Sequence, residues 1–358
     1  MNSHVIPTNT MHAPYVRTGY EAVLAVKSSD KYVVSAASEG KVTDVTDDEI
    51  TVKYKDGSVV THSIREWTSK EESGTSYTHK LTPNVKKGDT LRKDDTIAYD
   101  SSFFEPDVFD RKRVIYKQGT SANVALMEDP ETYEDSGAIS SEFAKTMETT
   151  VTKVKSVVVK NTDTIMGQLK VGDSVEPETP ILSIIDAELG SMSDLDAHTL
   201  EILQGLKQLT PKASYRGVVS KIQIYYNCDK STLSPTLKKM VNVSDKELKS
   251  ATGYGGAVSS GYSIQGVPLL EDEVEIKYYF KVVTPMGTGD KAVIGNQLKM
   301  TIGNVYDNEI TALDGTKIDC IFSSMSVEAR IVNSPVLIGT TSKVLELVAA
   351  KASDLYFK

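Results

Sequence analysis

The sequence predicts a mainly β, α+β chain: strands and hairpins, interrupted once by a partly helical excursion at about 190–265. Three observations carry this. Apolar and polar residues alternate on both sides of Asp56-Gly57 in "EGKVTDVTDDEITVKYKDGSVVTHSI" (39–64), a hairpin signature. Lys153–Lys160, Arg216–Tyr226, Glu273–Val283 and Gln297–Ile302 also have the composition of strands. Helical periodicity, by contrast, is found in few places.

Taken in order, the helical segments begin with Asp194–Leu209. Its apolar positions 195, 200, 203, 206 and 209 fall at helical spacing, with Ser191 or Ser193 as a cap. Pro235–Val241 and Ser244–Ser250 read as two short helices, and Ser342–Ala352 as a closing one. Between them "SATGYGGAVSSGY" (250–262), rich in Gly and Ser, is expected to be a mobile loop. The organisation is therefore three stretches, 1–189, 190–265 and 266–358, the middle one an insertion. A weak internal repeat joins "PNVKKGDTLRKDDTIAYD" (83–100) to "GQLKVGDSVEPETPILSIID" (167–186). Each copy has a Gly-Asp turn with apolar residues placed to point inward, as in the barrel-sandwich hairpins of biotinyl or lipoyl carriers. Neither has the carrier's exposed lysine, so the hairpins are read as structural.

A net charge of -9 argues against a free-standing nucleic-acid binder, which shows a basic excess. It leaves room for a subunit whose basic partners supply the phosphate contacts. The two cysteines, Cys228 and Cys320, stand far apart with no metal-ligand pattern and are expected to be reduced thiols. No apolar run approaches the ~18 residues of a membrane span, and "MNSHVIPTNT" has no signal-peptide core, so an intracellular protein is expected.

Chemistry concentrates in three places. "ALMEDPETYEDSG" (125–137) packs five carboxylates into eight positions, with no lysine or arginine between Gln118 and Lys145. Carboxylates this close repel one another unless a cation intervenes. An acidic run of this kind is commonly a solvated loop. Glu134-Asp135 differs, because Tyr133 precedes it and Ser136-Gly137-Ala138 follow, the setting of a tight turn beside a packed strand. Such a pair can be held near a hard divalent cation such as Mg²⁺, though two carboxylates alone make an incomplete site. "VVTPMGTGDKAVIGNQLKMTI" (282–302) places Gly287, Gly289 and Gly295 around Lys291. Glycines let a backbone approach phosphate and lysine is a point charge for it, yet a plain turn with a surface lysine fits as well. Arg330, in "SSMSVEARIVNSP", reads either as an ion-pair partner or as an anion clamp. The five histidines form no ligand cluster, and no P-loop, dinucleotide, nucleophile-elbow or zincin motif is present.

In order along the chain these motifs resemble the C-terminal part of the β subunit of multisubunit DNA-dependent RNA polymerases. "VIPTNTMHAPYVRTGYE" is similar to that family's A-V-P…P-x-V-G-T-G-x-E segment through Pro7, Pro14, Val16, Thr18, Gly19 and Glu21. "VKKGDTLRKDDTIAYD" resembles V-x-x-G-D-x-L-A-D-G. "ANVALMEDPETYEDSGAISSE" resembles V-A-F-M-P-W-x-G-Y-N-[FY]-E-D-[AS]-I-x-[IL]-S-E, one residue shorter. "GDKAVIGNQLKMTI" is similar to G-D-K-x-x-x-R-H-G-x-K-G. "DGTKIDCIFSSMSVEARIVNSPVLIGTT" is similar to D-G-x-x-[PV]-D-x-x-x-N-P-x-x-x-P-S-R-M-x-x-G-x-x-x-E.

The resemblance implies a double-psi β-barrel and a barrel-sandwich hybrid, with a flap-like module inserted over 190–265. It implies that Glu134 and Asp135 lie near a Mg²⁺ borne mainly by the incoming nucleoside triphosphate and a partner subunit. Lys291 would face the RNA 3′ end and incoming phosphate, and Arg330 the triphosphate. The outer carboxylates 128, 129 and 131 would stay solvated. The family's Arg-His is missing, leaving Ile294-Gly295-Asn296-Gln297. If two residues are deleted, Gln297 takes the second lysine's place; if not, Lys299 does. Ser323-Ser324 stand where the family has Asn-Pro.

The three-aspartate loop that holds the catalytic Mg²⁺ in the family's largest subunit is absent from the sequence. The β subunit's N-terminal lobes and C-terminal clamp anchor are missing too, so the resemblance is to a split, divergent β-like polypeptide, of the kind large bacteriophages encode. Its implied partners are a β′-like subunit carrying that loop, an N-terminal β-like polypeptide, DNA template, RNA and nucleoside triphosphates. Its implied setting is the cytoplasm of an infected bacterial host, or the virion. The other reading is a non-catalytic β-barrel scaffold of a nucleic-acid-processing complex.

Overall fold

The computed structural model describes residues 5–70, 76–130, 132–185, 210–259, 261–295, 297–330 and 333–357. The fold is mixed α+β and mostly strands, with a sheet curled into a half-barrel. The helix expected over Asp194–Leu209 lies outside the described residues. The chain divides into two compact units: Met1–Thr68, Thr78–Thr150 and Thr284–Lys358 form one, and Ser69–Tyr77 with Val151–Val283 the other.

In the first unit the hairpin read around Asp56-Gly57 is present. Glu49–Tyr54 pairs antiparallel with Val59–Ser63, and Gly57 takes a φ of 89° that few side chains tolerate. Gly40–Val45 continues the sheet, and its outer neighbour is Thr90–Leu91. Val42, Ile50, Val52, Ile64, Leu91 and Ile97 form its core. A second sheet of this unit runs in the order Val124–Leu126, Cys320–Phe322, Ser136–Ser140, Leu298–Tyr306, Lys291–Ile294. Two of its pairings are parallel, Val124–Leu126 with Cys320–Phe322 and Ser136–Ser140 with Leu298–Tyr306. Ile139, Leu298, Met300, Ile302, Cys320 and Phe322 are buried beneath it. Burial pushes the Cys320 thiol up to about 12, which makes it an inert apolar filler.

The second unit contains the strands Ser174–Val175, Gly217–Tyr226, Glu273–Thr284 and Thr149–Lys160, neighbours in that order. The two short helices expected over Pro235–Val241 and Ser244–Ser250 are one helix, Pro235–Thr252. Ser234 caps it by accepting from the Leu237 amide, Pro235 opens it, and Gly253 closes it in the left-handed conformation. Serine is a poor interior helix residue. Here the Ser244 hydroxyl is buried and accepts from the Ile224 amide at 2.9 Å, so a tertiary bond overrides propensity. The loop expected to be mobile is also tied down. The Gly256 amide donates to Asp245 at 2.7 Å, Tyr226 donates to the Gly256 carbonyl at 2.9 Å, and Val258 donates to Tyr226 at 3.0 Å. The closing helix extends beyond Ser342–Ala352 to Ser334–Phe357.

The internal repeat is real at the level of hydrogen bonds. Lys86 and Lys170 donate their amides to Asp89 and Asp173 at 2.8 and 2.7 Å, across Gly88 and Gly172 with φ of 97° and 96°. The Gly88 and Gly172 amides then donate to the Val42 and Val219 carbonyls at 2.9 and 2.8 Å. The correspondence reaches the strands beyond. Thr43 and Ser220 each sit at a register shift and donate a hydroxyl to the neighbouring strand, at Thr51 and Tyr279. In the first unit the strand pair precedes the Gly-Asp turn in the chain, and in the second it follows.

Candidate active-site face

Gly137 sits in the middle of the second sheet of the first unit, where a side chain would require Met300 and the neighbouring strand to shift. An added Cβ would lie 2.5 Å from the Met300 sulfur and 3.1 Å from the Ile321 carbonyl. The chain enters that strand through a tight turn. Ser136 donates its amide to Tyr133 at 3.2 Å, and Glu134 adopts a positive φ of 55°. Glu134 and Asp135 are thereby exposed at the lip of a strand whose next residues are buried.

The helix Ser324–Arg330 holds this lip. Ser323, fully buried, accepts from the Ser326 amide at 3.3 Å as a helix cap. The Ser326 hydroxyl donates to the Glu134 carbonyl. Arg330 is four residues further on, hence on the same side of the helix. Its Nη2 lies 2.6 Å from both Asp135 carboxylate oxygens. One helical face thus fixes the turn's backbone and meets its second carboxylate. Glu128 fastens the other end of the helix. Its Oε1 accepts from the Ser323 hydroxyl at 3.0 Å, the Ser324 hydroxyl at 2.9 Å and the Met325 amide at 3.1 Å. The Met325 amide foremost, then the Ser324 hydroxyl, hold the Glu128 carboxyl below its ordinary value. Glu128 was expected to be solvated; it is exposed, but it caps this helix. Thr132, fully buried, accepts from the Asp129 amide at 2.9 Å and shapes the loop between. Glu131 lies outside the described residues.

Lys291 reaches the same end of the sheet by register. Ser136 is the partner of Thr301, and Thr301 of Lys291. Two strand spacings, roughly 10 Å, separate the backbones of Ser136 and Lys291. Directly opposed residues share a face, and Thr301 and Lys291 are both exposed. The turn before Lys291 repeats the Gly-Asp device. Gly287 donates its amide to Asp290 at 2.8 Å across Gly289, whose φ is 92°, so that Asp290 is occupied structurally and Lys291 is not. Lys299, opposite Val293 and two residues before Thr301, lies on the same exposed face, diagonal to Lys291. Gln297 precedes the strand. Lys291 and Lys299 form no ion pair among the described residues.

Register thus places the turn that carries Glu134 and Asp135 at the same end of the sheet as Lys291 and Lys299, about two strand spacings apart, and Arg330 joins that end through Asp135. The carboxylate donor set is small. Among the described residues no group of three or more His, Cys, Asp or Glu is placed to hold a metal ion. Asp135 is engaged by Arg330. No described helix is long and apolar enough to cross a membrane.

No family model matches the chain. Its curated relatives are DNA-directed RNA polymerase β subunits. That of Leifsonia xyli subsp. xyli is 24% identical over 344 residues, 92% of this chain and 27% of the relative. That of Thermus aquaticus is 23% identical over 390 residues, 100% of this chain and 32% of the relative. That of Rubrobacter xylanophilus is 24% identical over 340 residues, covering 92% and 28%. The homology is distant but almost chain-long. The chain spans about a third or less of the length of the relatives it matches. Sequence reasoning missed Glu128 as a helix cap, since its partners lie 195 to 197 residues away. The serines at 323 and 324 were a usable cap signal for the helix itself.

Proposed function

We propose that this chain is a transcription subunit of a multisubunit DNA-dependent RNA polymerase, contributing nucleotide and RNA 3′-end contacts to a shared active site. The observation that carries the reading is the convergence of Glu134-Asp135, Lys291 and Arg330 on one end of one sheet. They come from three separate segments, each similar to a polymerase β motif. The sheet's two parallel pairings support a double-psi β-barrel, and the flap-like insertion is read over 190–265, a stretch that falls within the second compact unit. A Mg²⁺ ion on the triphosphate, held mainly by the nucleotide and a β′-like partner, would neutralise phosphate charge. Glu134 and Asp135 would be its outer carboxylate contacts on this chain. Arg330, now paired to Asp135, presents a planar fork to phosphate oxygens. Lys291 places a point charge near the RNA end, with Lys299 beside it as the second lysine.

Single-nucleotide addition by the assembled enzyme tests this. Lys291→Ala and Arg330→Ala should each slow addition by about 10²–10³-fold, the effect of losing one donor to developing charge. Arg330→Ala should chiefly raise the nucleotide concentration required. Glu134→Ala with Asp135→Ala should raise the Mg²⁺ requirement while assembly is unaffected. Unchanged constants in all three would reject the reading. The Asp135–Arg330 pair, in which each side chain satisfies the other, favours a second reading, a β-barrel scaffold without catalytic contacts, and that result would select it.

A further inference from the structure

The strands Phe104–Pro106 and Val114–Tyr116 pair as a hairpin whose tip, 107–113, reads "DVFDRKR". The tip is built, not slack. Asp107 donates its amide to Arg113 at 2.9 Å, and Arg113 donates to Asp110 at 2.8 Å. The Asp107 and Asp110 carboxylates accept from the Phe109 and Lys112 amides at 3.1 and 3.2 Å. Both acids are also neutralised: Arg17 Nη1 lies 2.9 Å from Asp107, and Arg92 Nη2 3.2 Å from Asp110. Lys112 is committed to the Thr90 carbonyl at 3.2 Å. Left facing solvent are Val108, 73% exposed, and Phe109, 86% exposed, with the Arg17 guanidinium carbon 5.3 Å from the Phe109 ring centroid. Arg111 and Arg113 are exposed and form no ion pair among the described residues.

We propose that this tip is a nucleic-acid contact separate from the active-site face, in which Phe109 stacks on or wedges beside a base and Arg111 and Arg113 take flanking phosphates. An exposed aromatic on a rigid tip loses little conformational freedom on binding. Bases stack on aromatic side chains, and apolar wedges between base steps are paired with arginine in known modes of binding. Charge selects the partner. In a chain of net charge -9, the tip neutralises both of its acids and leaves two guanidiniums uncommitted, an arrangement suited to a polyanion. An apolar protein surface would be met by Val108 and Phe109 without them.

The test is fluorescence anisotropy of the full chain with a labelled single-stranded oligothymidylate and a labelled duplex of equal length, across a salt titration. Phe109→Ala should weaken binding by roughly 5- to 150-fold, the range for one stacked base, with an unchanged salt slope. Arg111→Gln with Arg113→Gln should instead flatten the slope of log K against log salt, by about 1.4 for the single strand or 1.8 for the duplex. The probe that shows these effects identifies the form bound. Lys291→Ala with Arg330→Ala separates this proposal from the active-site reading. If that variant loses binding while the tip variants match the wild type, the tip proposal falls and the other stands. Loss in the tip variants alone supports the proposal whatever the polymerase assay gives. A wild type that binds neither probe overturns it and leaves Phe109 to a protein partner.

Discussion

Glu128 is exposed, yet it accepts three hydrogen bonds that begin the helix carrying Arg330. Its carboxyl is held below the ordinary 4.5 by the Met325 amide first and the Ser324 hydroxyl next. A depressed folded-state pKa contributes stability that is fully present above the unfolded value and is lost as pH falls through the folded one. Thermal unfolding of the wild type and Glu128→Gln should therefore differ most at neutral pH. The gap should narrow as pH falls below about 4.5. A gap that stays constant through that range would mean the charge of Glu128 does not hold the helix. The turn at Glu134-Asp135 was legible from its neighbours, because small residues after an acidic pair announce a tight turn into a packed strand. The Arg330 partner was left open between ion pair and clamp, and the structure supplies the ion pair, with Asp135.

At the scale of elements, the glycine-rich stretch 250–262 separates two uses of glycine that composition cannot distinguish. A Cβ on Gly256 would lie 2.0 Å from the Ile224 carbonyl oxygen, whereas one on Gly261 would meet nothing within 4 Å. Gly256→Ala should cost about 3 kcal/mol, at the upper end of overpacking effects, because a backbone atom cannot swing aside. Gly261→Ala should stay within about 0.5 kcal/mol. Urea unfolding midpoints of the full chain check both, and equal midpoints would refute the packing argument. The same distinction explains what was readable in advance. Strands and the Asp56-Gly57 hairpin follow from alternation, which is local. The Gly-Asp turns at 88–89 and 172–173 were visible as a repeat because each needs a left-handed glycine and a carboxylate at fixed spacing. Their matching strand pairs were not, because one copy places them before the turn and the other after. The single helix Pro235–Thr252 was read as two because Ser244 bonds a strand distant in sequence, and the range 186–209 lies outside the described residues.

For the whole molecule, the ligand inventory bears on what the chain can do unaided. Phosphoryl transfer by two metal ions requires both to be clamped at the attacking and leaving oxygens. Among the described residues no group of three or more metal-binding side chains exists, and the sequence contains no three-aspartate loop. Under the proposed function Glu134 and Asp135 would touch one substrate-borne metal from outside, and Asp135 faces Arg330 at 2.6 Å. Under the proposed function, the purified chain should incorporate no nucleotide on a primed template at any Mg²⁺ concentration. Activity should appear when a polypeptide bearing the aspartate loop is supplied with the remaining β-like segments, and should then depend on Lys291 and Arg330. Templated incorporation by the chain alone would show that the metal clamp is complete here and would overturn the shared-site reading. Activity in the assembly that is indifferent to Lys291 and Arg330 would leave this chain a scaffold, because the fold would then be needed for its shape and not for those two charges.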